Sequence, residues 1–263
     1  MNGIRKYVSI ALIIPAVSLT ISGCASLAGL PIPGFSDSEM NQMGQKTFED
    51  LKKKTPQETD PRINAYVKCV AMSVAREAVD NTGVTSWTVV VFRDATPNAF
   101  ALPGGYIGVH TGLLTTAKTA GQLAAVLGHE VAHVTARHGK QRVMQNVGLK
   151  KVVEVVGGSN EQLGGILGAG AAYGVLLPFS RSHETEADAI GIELMAKAGY
   201  DPQESVQLWR NMKAAAGGNK PPEFMSTHPS SDRRIKTLQS LVPKYYAVYK
   251  AAESAGKGKS CRR

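Results

Sequence analysis

His129-Glu130-Val131-Ala132-His133 decides how this chain is read, because it lies in an apolar helical stretch, with Leu123-Ala124-Ala125-Val126-Leu127 before it and Val134 after it. Histidines four positions apart share one helix face and can present two imidazoles to one zinc ion. Glu130 lies one position round, beside the open coordination site, where a carboxylate can act as a general base. A catalytic zinc of this kind takes three protein ligands and keeps a fourth position free, so the chain must supply one more donor.

Where that donor lies decides the class. The pattern His-Glu-x-x-His-x-x-Gly-x-x-His fails here, since Ala136 stands where Gly is required and Gly139 where the third His is required. His138 misses by one residue and falls on the opposite helix face. It reads as a helix C-terminal histidine favoured by the dipole, with Gly139 ending the helix. The alternative is a carboxylate on a later helix, and Ser180-Arg181-Ser182-His183-Glu184-Thr185-Glu186-Ala187-Asp188 provides it. Glu184 and Asp188 are four apart and face the same way. Glu184 can ligate zinc, while Asp188 accepts a hydrogen bond from the free ring nitrogen of a ligand histidine and fixes its tautomer. Glu186 points elsewhere. Acidic residues at this spacing are ordinarily a solvated helix face; the upstream motif reverses that reading.

Around these motifs the chain divides into residues 1–23, an export signal; 24–36, a flexible Gly- and Pro-rich tether; 37–254, the folded domain; and 255–263, a basic tail. The signal has Arg5 and Lys6 ahead of an apolar run from Val8 to Ile21. Helices are expected from Asp37 to about Lys54, from Asp60-Pro61 towards Asn81, and over 119–138, 140–156, 161–177, 182–198, 202–216 and 231–241. Trp87 to Phe92 reads as a strand, and Asn98 to Val109 as a hairpin turning at Pro103-Gly104-Gly105. The fold class is therefore α+β, mostly helical, with a small sheet before the motif helix. Residues 163–179 carry no charge and many Gly and Ala, which suits a core-packed or gate-like helix better than a span, although contact with a membrane surface stays open.

The 30 Lys and Arg exceed the 21 Asp and Glu, giving a net charge of +9. That excess is scattered and is not interleaved with aromatic residues for base stacking, so a solvated basic surface is favoured and no nucleic-acid partner is expected. Cys69 and Cys261 either pair in an oxidising compartment or stay free, one on an apolar helix face and one in a loose tail.

Two resemblances extend this reading. Ile21-Ser22-Gly23-Cys24 resembles the lipobox of bacterial lipoproteins, which implies acylation of Cys24, a lipid-anchored protein facing the periplasm and, because Ala25 follows, the outer membrane rather than the inner. From about Asp37 to Leu241 the chain resembles metallopeptidase family forty-eight, which includes the prenyl-protein (CAAX) proteases, the membrane protease HtpX and envelope lipoprotein zinc proteases. Four blocks carry this in order: Asn98-Ala99-Phe100 to Gly112-Leu113-Leu114, the His-Glu-x-x-His helix, the Ser-Arg-x-x-Glu-x-Glu-Ala-Asp helix, and Thr227-His228-Pro229 with an arginine beyond.

The resemblance implies a gluzincin-like domain with one Zn2+ held by His129, His133 and Glu184, and Glu130 as base in peptide-bond hydrolysis. It implies Arg234 as a donor near the oxyanion, with Arg233 an adjacent rival. His228 is either an inhibitory ligand that holds the enzyme latent or a catalytic hydrogen-bonder. The hairpin is expected to bind extended substrate as an added strand, and the implied partners are unfolded or misassembled envelope polypeptides. A non-proteolytic, chaperone-like lipoprotein with a structural metal is the alternative. Prenyl-peptide processing fits poorly, because that branch places its site within several long spans.

Overall fold

The structure is a computed structural model that describes residues 35–145, 178–215, 223–228 and 232–262. Cys24, the export signal, most of the tether and residues 146–177 lie outside the described residues, as does nearly all of the uncharged 163–179 stretch. Among the described residues, no helix is long and apolar enough to cross a membrane.

Helix α1 (Asp37–Lys54) opens on a capping box: Ser36 Oγ accepts from Glu39 N at 3.1 Å, and the Glu39 carboxylate accepts from Ser36 N at 2.7 Å. Helix α2 (Pro61–Ala75) starts at Asp60-Pro61 as expected, yet ends short of Asn81. The Asp80 carboxylate accepts from Thr82 N at 3.1 Å and Val84 N at 2.7 Å, so the chain there forms a side-chain-tied turn rather than a further helical turn.

Three strands follow, β1 (Thr88–Phe92), β2 (Ala99–Leu102) and β3 (Tyr106–His110), in the order β1-β3-β2. β3 pairs parallel with β1 and antiparallel with β2, which leaves β2 at an edge. The hairpin turns through Gly104 and Gly105, at φ 89° and 85°, a region that side chains with a Cβ avoid. Alternation along the strands separates two apolar clusters. Val91, Ala99, Ile107 and Val109 join the main core, whereas Phe92, Phe100 and Leu102 gather round Phe48 of α1.

After the short α3 (Leu113–Thr116) comes the motif helix α4 (Ala120–Thr135), capped by Thr119 and buried from Gly121 to Val134. It ends at Thr135 rather than at His138. Arg137 adopts φ 59°, the one positive value outside glycine among the described residues, and His138 opens the next helix, α5, described over 138–145. A left-handed residue costs about 1–2 kcal/mol. The Arg137 guanidinium offsets this by binding Asp37 at 2.9 Å and the side-chain and main-chain oxygens of Asn81.

Helix α6 (Arg181–Lys197) is capped by Ser180 and packs along α4. The two helices meet at glycines: a Cβ on Gly128 would sit 2.7 Å from Gly191 O, and one on Gly191 would sit 2.8 Å from His129 N. This approach brings the α6 carboxylates to the α4 histidines. Helices α7 (Gln203–Ala215), α8 (Glu223–Thr227) and α9 (Asp232–Ser254) complete the core. α9 runs well past the expected Leu241 and contains Pro243, because Val242 and Tyr245 are buried in the core and Tyr245 Oη donates to Glu193 at 3.2 Å. The basic tail is fastened, not loose: Cys69 and Cys261 form a disulfide, and Lys257 pairs with Glu77 at 2.7 Å.

Candidate metal centre

Four buried side chains converge where α4, α6 and α8 meet. One ligand atom from each of His129, His133, Glu184 and His228 lies within 4.8 Å of the others, among the described residues the one such group of His, Cys, Asp and Glu. His129 Nε2 is 3.0 Å from His133 Nε2 and 3.2 Å from His228 Nδ1. Glu184 Oε1 is 3.4 Å from His133 Nε2 and 3.1 Å from His228 Nδ1, and Glu184 Oε2 is 3.6 Å from His129 Nε2. Imidazole nitrogens facing one another across such distances need something to share, and a carboxylate with two or three imidazoles is the donor set that zinc takes. The cluster fits the ion.

Its electrostatics favour ligation. Burial pushes the His133 imidazole well below its ordinary range, against a hydrogen bond with Glu184, so its lone pair stays available. Burial alone would raise the Glu184 carboxyl, but His129, His133, His228 and Arg234 outweigh it and hold the group ionised far below the usual carboxylate range. Asp188 follows the same balance, burial against Arg234 and His129, and is lowered. Its Oδ1 lies 3.1 Å from His129 Nδ1.

Glu130 stands apart from the four. Its Oε2 accepts from Ala101 N of the edge strand at 3.1 Å. Its Oε1 is buried without a hydrogen-bond partner, although His228 Nε2 lies 3.4 Å away as a possible charge partner. Burial pushes this carboxyl upward, with His228 and His129 opposing, so Glu130 is the more basic of the two glutamates.

Arg234, expected near an oxyanion, meets the carboxylates of the cluster. Nε and Nη2 bind the two oxygens of Asp188 at 2.7 and 2.6 Å, and Nη1 binds Glu184. The guanidinium also lies 3.9 Å over the Trp209 ring. All three nitrogens are thus turned to the carboxylates that hold the centre. Arg233, the rival, is exposed.

Sequence reasoning missed three neighbours. Phe179 stacks on His133 with ring centroids 3.8 Å apart, and the Arg142 guanidinium lies 3.8 Å over Phe179. His138 is fully buried, with Nδ1 2.9 Å from His133 Nδ1. An apolar residue just before the Ser180 cap was the available signal for Phe179; nothing in the local pattern brings His138 back to the site.

Comparison with known proteins agrees with this geometry. Residues 61–242 match the model of peptidase family M48. The chain is 42% identical to the mitochondrial metalloendopeptidase OMA1 of Schizosaccharomyces pombe, over 63% of this chain and 50% of that protein. It is 33% identical to the protein of the same name from Saccharomyces cerevisiae, over 82% and 67%. It is 30% identical to the beta-barrel assembly-enhancing protease of Escherichia coli, over 74% and 42%. The chain thus spans about two fifths to two thirds of the length of these relatives. These findings correct the expected location: similarity to metalloendopeptidases named as mitochondrial in fission yeast, budding yeast, Arabidopsis thaliana and Bos taurus overturns the reading of a lipid-anchored bacterial envelope protein facing the periplasm. The motif helix, the carboxylate helix, the donor set and the matched family model converge on one assignment: the chain belongs to peptidase family M48, the zinc metallopeptidases.

Proposed function

We propose that this chain is an endopeptidase in which His129, His133 and Glu184 hold one zinc ion and Glu130 is the general base, acting on extended segments of unfolded or misassembled polypeptides. The observation that carries the proposal is the position of Glu130, a buried carboxylate with one unpartnered oxygen, set between four convergent metal donors and the edge of the sheet.

Bound at these donors, zinc supplies a Lewis acid that polarises a peptide carbonyl and makes water acidic near neutral pH. Glu130 Oε1, raised in basicity by burial, takes the proton from the attacking water and returns it to the leaving amine. Ala101 N orients the carboxylate through Oε2. Asp188 fixes the His129 ring, and Arg234 fixes both Asp188 and Glu184, so Arg234 is a positioning residue. The main chain of β2 lies beside Glu130 and offers an edge to which an extended peptide can add as a strand; such hydrogen bonds are blind to side-chain identity and favour unfolded segments. The name of the Escherichia coli relative, an assembly-enhancing protease, supports that substrate class.

Casein cleavage tests this. Glu130→Gln is expected to keep its zinc and to lose at least about a hundredfold in rate, the general-base contribution. Cleavage at the wild-type rate would leave the non-proteolytic, metal-holding alternative standing.

His228 supports a second reading, because its Nδ1 lies inside the donor cluster rather than beside it. Occupying the open position, it would hold the enzyme latent. His228→Ala is then expected to raise casein cleavage, and a fall would give His228 a catalytic role instead.

A further inference from the structure

His129 and His133 leave α4 on the same face, yet only His129 has a carboxylate behind it. His133 Nδ1 meets His138 Nδ1 at 2.9 Å, and His138 Nε2 meets Glu186 Oε2 at 3.2 Å. Two imidazole nitrogens at that separation need one proton between them, since two N–H groups would repel and two lone pairs would leave the contact unbonded. If His133 presents the Nε2 lone pair to a metal, its proton sits on Nδ1. His138 must then accept at Nδ1 and carry its own proton on Nε2, which is the atom that faces a carboxylate. The assignment closes without a conflicting donor.

The surroundings hold His138 in that orientation. It is fully buried, its ring stacks on His183 with centroids 4.5 Å apart and planes 17° apart, and His183 Nε2 lies 2.8 Å from Gln141 Oε1. The left-handed Arg137 places it, by ending α4 at Thr135 and turning the chain back under His133. Glu186 Oε2 reaches it from a side chain that is 59% exposed.

We propose that His138 is a positioning residue for the reaction, fixing the tautomer and ring plane of His133 through a relay that ends at Glu186. This inference rests on the reading of His133 as a zinc ligand. Metal-bound histidines depend on the group that accepts their second N–H, and removing such a group lowers metal affinity about ten- to a hundredfold.

Zinc affinity, measured by chelator competition on the full chain, tests it. His138→Leu removes the acceptor and is expected to weaken zinc binding by about tenfold or more. His138→Gln offers an amide oxygen to His133 and an amide N–H to Glu186, and is expected to restore affinity to within about threefold of wild type. Gln behaving like Leu would overturn the relay and leave His138 a packing residue, as would wild-type affinity in His138→Leu. His133→Ala separates this from the underlying reading. Loss of zinc there supports the ligand role whatever His138 does, whereas unchanged affinity would remove the ligand role and the relay together.

Discussion

The two histidines of α4 are one helical turn apart and are supported in opposite ways. Behind His129 stands a charged lattice: Asp188 on the ring nitrogen, Arg234 on Asp188 and Glu184, and Trp209 under the guanidinium. Behind His133 stand neutral rings, with His138 on its Nδ1, Phe179 stacked on its face and His183 stacked on His138. Charge appears on that side at Glu186, near solvent, and at Arg142, whose guanidinium lies over the Phe179 ring. A buried carboxylate fixes a histidine strongly but must itself be neutralised, which is why Arg234 binds Asp188 on the first side. The difference teaches that one metal centre can be held rigid by two routes whose failures look different.

Arg234→Met is the sharpest way to break this contrast. It leaves Asp188 and Glu184 buried beside each other without their common cation, and is expected to cost about 3–5 kcal/mol in urea denaturation of the zinc-free protein. A variant as stable as wild type would show that the lattice carries no net charge burden. Gly191→Ala acts on both sides at once, since its methyl group would press on the His129 backbone and move α6 away from α4. Overpacking of this kind costs about 1–3 kcal/mol. Zinc affinity should fall with stability, and calorimetry with and without zinc reads both. His138→Leu should disturb folding stability least of the three, because only neutral groups and a half-solvated carboxylate lose a partner; its effect belongs to the bound metal.

The same contrast separates what could be read in the sequence from what could not. His129, Glu130 and His133 declare themselves by helical spacing in an apolar run, and Glu184 with Asp188 by the same spacing on a later helix. Each of those relations is local. The helix start at Asp60-Pro61 and the hairpin at Gly104-Gly105 were legible for the same reason. His138 was not, because its position depends on a left-handed arginine, a conformation that no composition rule assigns to Arg. That conformation is held by Asp37, which is 100 residues earlier in the chain. Arg234 was recognised as a site residue, but which carboxylates its guanidinium meets is decided by the packing of α9 against α6, which no local pattern gives. The end of α9 was misplaced too: the expected helix stops at 241, whereas burial of Val242 and Tyr245 carries it past Pro243 to Ser254.

The bond between Cys69 and Cys261 joins positions 192 residues apart, and every residue proposed here to bind, position or react lies between them. The catalytic apparatus therefore sits inside one covalent ring. Autolysis is the standing hazard of a protease, and a single cut anywhere in a ring opens it without releasing a fragment. A once-nicked molecule would migrate as two pieces only after reduction, and until then would keep both halves of its zinc site on one particle.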